Sequence, residues 1–182
     1  MTLKPAFLGL ALAANAALPL AAQDVSDATR AANDALLDVL PFDDRRDFEA
    51  AQRGFIATLE DPVITDADGN VVFDTGLYDF VSGAAPATAN PSLWRQSELN
   101  AFSGLFEVTE GIYQVRNFDL ANVSFIRGDT GWIVIDPLTA NETAAAALQL
   151  LRDNVEDVPV TAVIFTHSHA DHFAGVKGVA NA

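Results

Sequence analysis

Apolar positions in the first hundred residues recur at the three- and four-residue spacing of helices, with proline and glycine between the runs. Ser26 stands where a helix N-cap is expected, and Asn90 followed by Pro91 gives a second cap with proline at the first helical position. Two β-branched runs around an acidic turn indicate a short hairpin. The elements predicted for this half are helices over 26–40, 43–53 and 90–103 and strands over 63–65 and 71–73.

From residue 105 the pattern changes to short apolar runs separated by glycine-containing turns, which is typical of antiparallel hairpins. The strands predicted here are 105–108, 112–115, 123–126 and 132–135. An alanine-rich helix follows, to about residue 153. Its start, 139–142, is a Thr-x-x-Glu capping box, in which the Thr139 hydroxyl is expected to accept a hydrogen bond from an amide of the first turn.

A continuously apolar run over 161–166 predicts one more strand, of the kind that is buried on both faces. This strand, the helix before it and the strand over 132–135 form a βαβ unit, so the two strands should be parallel. Ligands of such sheets bind at the carboxyl ends of the strands. Asp136 and His167 each follow one of these strands directly, and we expect them to be neighbours.

Charge and cysteine content exclude several classes of partner. The chain has 182 residues, of which 25 are acidic and 10 basic, for a formal net charge of −15. Such a chain repels nucleic acid and anionic lipid surfaces, so neither is an expected partner. There are no cysteines, which excludes disulfides, thiol catalysis and cysteine-ligated zinc. Half of the residues are hydrophobic, which is enough for a packed core.

Residues 1–22 are predicted to be a secretory signal peptide, because Lys4 precedes an apolar run that ends in small residues. Cleavage after Ala22 is favoured, and the small-x-small run 14–16 is the alternative site. An uncleaved anchor is the competing interpretation, but the run is short for about 30 Å of hydrocarbon. We therefore expect a periplasmic or secreted protein without a stable membrane anchor.

All three histidines of the chain lie within six residues, as His167, His169 and His172, with Asp171 among them. Imidazole nitrogens and carboxylate oxygens suit zinc and similar metals. Residues two apart on an extended segment point the same way, so His167 and His169 can bind one ion. If the chain turns after Ala170, Asp171 and His172 can serve a second ion, and pairs of ions about 3.5–4 Å apart are common in hydrolases.

The run from His167 to His172 resembles the His-x-His-x-Asp-His signature of the metallo-β-lactamase superfamily. The resemblance implies a mixed α+β or α/β fold, an αβ/βα sandwich with metals at one edge of its sheets. It also implies that His167 and His169 ligate the first metal and that Asp171 and His172 ligate the second. Asp171 would in addition orient the attacking water as a catalytic residue, and Asp136 would steady the loop behind the ligands.

Longer stretches are similar to the alkyl sulfatases of that superfamily, which hydrolyse linear alkyl sulfates such as dodecyl sulfate with metal-activated water. The stretches that carry this resemblance are 40–44, 51–57, 90–96, 131–138 and 166–175, although Val176 departs from the pattern. The resemblance implies two Zn²⁺ per complete active site, release of alcohol and sulfate, an alkyl sulfate as the small-molecule partner, and a homodimer in the full-length protein.

The same resemblance divides the chain into three parts. These are the signal peptide over 1–22, a helical N-terminal extension with a short hairpin over 23–104, and the first, incomplete part of a metallo-β-lactamase-like domain over 105–182. Each proposed metal has two ligands here, whereas a catalytic zinc usually takes three from the protein. We therefore expect an N-terminal fragment that is inactive and poorly folded alone. The alternatives are another hydrolase of this fold, lactonase or phosphodiesterase-like, and a non-catalytic metal-binding remnant.

Overall fold

The computed structural model describes residues 24–180. The helices are α1 (Asp27–Val39), α2 (Arg46–Ala51), α3 (Pro91–Asn100), α4 (Asn141–Asn154) and α5 (Lys177–Ala180). The strands are β1 (Phe55–Ala57), β2 (Val63–Thr65), β3 (Val71–Asp74), β4 (Gly104–Thr109), β5 (Ile112–Arg116), β6 (Val123–Arg127), β7 (Trp132–Ile135) and β8 (Val160–Ile164). The predicted signal peptide lies outside the described residues. Within 24–180, no helix has the length and apolar character needed to cross a membrane.

Six strands form one sheet in the order β1-β4-β5-β6-β7-β8, and β2 and β3 form a separate hairpin. The pairs from β1 to β7 are antiparallel, and β7 and β8 are parallel, with Val134 opposite Val163 and Ile135 opposite Ile164. The mixed α/β class, all three predicted hairpins and the parallel βαβ unit are therefore confirmed. The parallel register brings the ends of β7 and β8 to one edge of the sheet.

The core lies between one face of this sheet and helix α4. Trp132 and Val134 alternate with half-buried residues along β7, and both are fully buried. On the helix, Ala147 and Leu151 are fully buried against them, and Leu148 is nearly so. Burying an apolar side chain of the size of leucine or valine stabilises the fold by about 1.5–3 kcal/mol. The helix that connects the two parallel strands therefore also holds them in place.

Two of the predicted helix caps are confirmed and one is wrong. The Ser26 hydroxyl accepts from the Thr29 amide, and the Asn90 side chain accepts from two amides of α3. The capping box at the start of α4 does not form, because the N-cap residue is Ala140 and no side chain of the box caps the helix. The Thr139 hydroxyl donates to the carboxylate of Asp119 instead, at 2.7 Å. A carboxylate distant in the sequence therefore binds the hydroxyl that was expected to cap the helix.

Strand β8 differs from the prediction of a strand buried on both faces. It is the last strand of the sheet in the described chain, and α4 covers only one of its faces. Val163 packs against the core, whereas Ala162 and Ile164 are exposed. An apolar run shows that a strand prefers burial, but the elements packed around it decide how much of it is buried.

The sequence did not predict strand β1. It lies within the range assigned to the helical extension, yet it pairs with β4 and forms one edge of the six-stranded sheet. The pairing needs glycine at position 104, where a Cβ atom would lie 2.5 Å from the Ala57 carbonyl oxygen and the backbone has φ of +137°. The N-terminal extension is therefore connected to the sheet covalently and also by the hydrogen bonds between β1 and β4.

Candidate metal centre

The loop after β8 brings the three histidine rings together. The chain bends over 166–168, His169 is extended, and a 3-10 turn over Ala170–His172 follows. The ring centre of His167 lies 4.7 Å from that of His169 and 4.1 Å from that of His172. The chain thus turns after Ala170, the condition under which Asp171 and His172 were expected to serve a second ion.

Asp136 connects this loop to the end of β7. Its carboxylate accepts from the Thr166 amide at 2.8 Å and from the Thr166 hydroxyl at 2.6 Å. It also lies 2.9 Å from Nδ1 of His172. The expectation that Asp136 lies beside the motif is confirmed. Its backbone has φ of +56°, a conformation that costs a residue other than glycine about 1–3 kcal/mol, so the surrounding contacts must hold it there.

Asp136 also decides which nitrogen of His172 carries the proton. Burial raises the pKa of the Asp136 carboxyl, but hydrogen bonds from Thr166 and then from His172 outweigh it, and the pKa lies below its ordinary value. The ionised carboxylate can only accept, so Nδ1 of His172 is the donor. In the neutral ring this leaves the lone pair on Nε2, the form in which an imidazole held by a carboxylate binds a metal.

Thr166 determines in the same way which ring nitrogen of His167 carries the proton. Its hydroxyl gives its proton to Asp136, and its oxygen then lies 3.0 Å from Nδ1 of His167. Since the hydroxyl proton is already used, that nitrogen must be the donor, and Nε2 of His167 is left free. The sequence analysis did not assign Thr166 a role. Its position directly before His167, at the same sheet edge as Asp136, was the available signal.

Asp171 and His169 complete the predicted set. Asp171 Oδ2 lies 3.2 Å from Nε2 of His172, and the two side chains are 33% and 22% exposed. His169 is exposed and stands beside His167. Among residues 24–180, no three histidine, aspartate or glutamate side chains already form a group able to hold an ion. The donors are of the right chemistry and lie near one another, so they fit as part of a ligand set.

Two glycines dock the end of the loop onto the start of α4. The Gly175 amide donates to the Leu138 carbonyl at 2.9 Å, and a Cβ atom on Gly175 would lie 2.3 Å from the Pro137 oxygen. A Cβ atom on Gly178 would lie 2.1 Å from the Asn141 oxygen. Real Cβ atoms do not approach so closely, so both positions need glycine. The motif is therefore held on both sides, by Asp136 before it and by this contact after it.

Asp119 is a second residue to which the sequence analysis gave no role. It lies in the turn between β5 and β6, it is 9% exposed, and its carboxylate accepts from the residues that begin α4. The donors are the amides of Leu120, Thr139 and Ala140 and the hydroxyls of Thr139 and Thr143. No sequence signal marks it, because most of these partners are 20 to 24 residues away.

A cavity of about 520 Å³ lies away from the histidines, between α2 and α3. Its lining includes Phe42, Asp47, Arg95 and Leu99. Arg95 donates to the Phe42 carbonyl at 2.9 Å and pairs with Asp47 at 2.7 Å. These contacts join α3 to the segment before α2, and they leave the histidine loop as the part of the described chain in which metal-binding side chains are concentrated.

Comparison with known proteins agrees with this geometry. A sequence profile described as the metallo-beta-lactamase superfamily matches residues 116–182, the stretch that contains Asp136 and the histidine loop. This stretch of the chain is therefore similar to the metallo-beta-lactamase superfamily.

The chain is also similar to alkylsulfatases. It is 54% identical over 160 residues to a linear primary-alkylsulfatase of a Pseudomonas species, which covers 87% of this chain and 24% of the relative. It is 46% identical over 159 residues to the alkyl/aryl-sulfatase BDS1 of Saccharomyces cerevisiae, which covers 87% and 25%. The solved structure of the stereoselective inverting sec-alkylsulfatase Pisa1 from a Pseudomonas species matches with a TM-score of 0.79 at 48% identity, over 86% of this chain and 25% of that one. The chain spans about a quarter of the length of these relatives.

Proposed function

We propose that the full-length protein is a metal-dependent alkylsulfatase that hydrolyses alkyl sulfate esters to an alcohol and sulfate. The observation that carries the proposal is the histidine loop, in which Asp136 and Thr166 hydrogen-bond to Nδ1 of His172 and His167 and so favour the tautomers that bind metal through Nε2. The similarity to three proteins named as alkylsulfatases, at 46% identity or more, supports this substrate class over others.

His167, His169, Asp171 and His172 would hold two zinc ions, with further ligands from the rest of the protein. Bound zinc supplies Lewis-acid chemistry, in which it neutralises charge on a sulfate group and makes a water molecule more acidic. Neutral imidazole and carboxylate donors match the preference of zinc. The net charge of −15 opposes the approach of an anionic ester, so binding needs a local positive charge that these ions would provide.

The residues of this chain would contribute position and proton placement. Asp136 would hold a proton on Nδ1 of His172, and through Thr166 one on Nδ1 of His167, so that in the neutral rings both Nε2 atoms are available to a metal ion. Asp171, at the centre of the turn, would orient the attacking water with one carboxylate oxygen. Its partial exposure agrees with a group that must reach solvent.

Linear primary alkyl sulfates are the substrates that we favour within this class. The 54% identical relative is named a linear primary-alkylsulfatase, whereas the names of the other two specify alkyl or aryl and secondary alkyl substrates. We further propose export to the periplasm or beyond, supported by the signal-like composition of residues 1–22, and a homodimer in the full-length protein.

The test is zinc content and dodecyl sulfate hydrolysis of the full-length protein, measured side by side for three forms. We expect the wild type to hold about two zinc ions per chain and to release sulfate. His169→Ala should lose zinc and fall to background activity. Ser168→Ala changes an exposed residue between two proposed ligands, and it should retain both properties.

Three results would change the proposal in different ways. A wild type that holds zinc but leaves alkyl sulfates intact, while it cleaves lactones or phosphodiesters, would move it to another hydrolase of this fold. Zinc binding without any hydrolysis would make it a metal-binding remnant. A wild type that takes up no divalent metal would overturn the metal site itself.

A further inference from the structure

We infer that Asp119 is a positioning residue for the metal motif, and that it acts through the segment 136–140, which we call the strap. The inference rests on the proposed function, because it concerns how the proposed ligands are held. Asp119 touches none of the histidines in the contacts described above. It forms hydrogen bonds with the strap, and the strap in turn contacts the loop that carries the ligands.

The carboxylate of Asp119 fixes the far end of the strap. Oδ2 accepts from the Thr139 amide at 3.0 Å, the Ala140 amide at 3.3 Å and the Thr143 hydroxyl at 2.7 Å. Oδ1 accepts from the Thr139 hydroxyl at 2.7 Å. These donors are the last two backbone amides of the strap and two threonine hydroxyls, so one side chain anchors the strap where it enters α4.

The strap needs such an anchor because its backbone is strained. Asp136 and Leu138 have φ of +56° and +62°, in the left-handed region that residues other than glycine rarely adopt. Leu138 is fully buried in the core, between the end of β7 and the start of α4. Strained conformations persist only where the surrounding contacts impose them, and the hydrogen bonds of Asp119 are such contacts.

Both flanks of the metal motif rest on this strap. Before the motif, Thr166 is bound by Asp136 at the start of the strap. After the motif, the Gly175 amide is bound by the Leu138 carbonyl. A shift of the strap would therefore move the residues on either side of the histidines and the carboxylate that orients His172.

The negative charge of Asp119 matters as much as its shape. Its hydrogen bonds in the described chain come from neutral donors, and it forms no salt bridge there. Two acceptor oxygens receive five donors, and the amino terminus of α4 favours a negative charge at this place. Asparagine would keep the size of the side chain but would offer only one acceptor oxygen. Its NH₂ group cannot accept a hydrogen bond from the donors that it would face. Asp119→Asn should therefore loosen the strap without opening a cavity.

The experiment measures zinc affinity by competition with a chelator, together with the absorption spectrum of the cobalt-substituted form, in the full-length protein. We expect Asp119→Asn to weaken zinc binding about tenfold, at the lower end of the loss seen when a partner behind a metal ligand is removed. The cobalt spectrum should change as well, because the ligand geometry is altered. Thr143→Val, which removes one of the hydroxyl donors, should act in the same direction, and Thr143→Ser should restore the wild-type affinity.

Leu148→Ala is the control for general destabilisation, because it empties a buried position in the middle of α4. It should lower the free energy of unfolding and leave zinc affinity and the cobalt spectrum of the folded protein unchanged. Equal losses of affinity in Leu148→Ala and Asp119→Asn would overturn the inference, as would unchanged affinity in Asp119→Asn. A wild type that binds no zinc would instead overturn the proposed function, so the two failures are distinguishable.

Discussion

The two faces of strands β6 and β7 have nearly the same apolar character but very different surroundings. Phe125 and Val134 point to the face under α4 and are fully buried. Ile126, Ile133 and Ile135 point to the other face and are only half-buried. The residue type therefore does not tell the two faces apart. The difference is made by the helix, which packs on the first face because it connects the two parallel strands β7 and β8.

Stability and proposed function therefore depend on different parts of the sheet. The face under α4 forms the core, and the proposed metal site lies at the edge where β7 and β8 end. The open face contributes little to the folding of the described residues, although it is equally apolar. Substitutions on each face test this division, and one at the contact between α5 and α4 is intermediate in expected effect.

Phe125→Ala on the covered face should lower the free energy of unfolding by about 3–5 kcal/mol, because it leaves a large cavity under α4. The measurement is urea unfolding followed by circular dichroism. A cost below about 1 kcal/mol would mean that the core does not lie on this face.

Gly178→Ala should cost about 1–3 kcal/mol, since the added methyl group would meet the Asn141 carbonyl where α5 contacts α4. Alanine normally stabilises a helix relative to glycine by about 0.5–1 kcal/mol, so the expected sign is opposite to that of the helix preference. The same unfolding measurement applies. Gly128→Ala, where the nearest atom is 3.3 Å away and φ is ordinary, is the control and should cost less. A stabilising Gly178→Ala would show that the two helices do not pack as described.

Ile164→Ala on the open face should cost less than about 1 kcal/mol, because the side chain is already 50% exposed. Val134→Ala removes fewer atoms from the covered face and should cost more, about 2 kcal/mol with its cavity. Urea midpoints of the two variants give the comparison directly. If Ile164→Ala proved the more costly change, the open face would have to be covered in solution.

The sequence predicted a helix or strand correctly where the residues that cap it or pair with it are near in the chain. The Ser26 and Asn90 caps, the hairpins from β4 to β7 and the βαβ unit all depend on residues within a few positions or on one short connection. Topology also placed Asp136 beside the histidine loop, because the ends of adjacent parallel strands must meet at one edge.

The wrong and missing predictions share a cause, which is a partner far along the chain. Strand β1 is defined by pairing with β4, about fifty residues later, and its three residues carry no period of their own. The capping box of α4 does not form because the Thr139 hydroxyl donates to Asp119, twenty residues earlier in the chain. For β8, the apolar run was read correctly as a strand, but its burial depends on what packs against it.

The position of β8 also bears on how this chain behaves at high concentration. An edge strand presents free backbone donors and acceptors to any other extended chain, and Val160–Ile164 combines that position with β-branched residues and no charge. Pro159 and Asp157 precede it, and both residue types discourage strand addition. On the other side the uncharged, aromatic Phe165 continues the run. Self-association of the 182-residue chain should therefore begin at this strand, beside the residues that would bind metal.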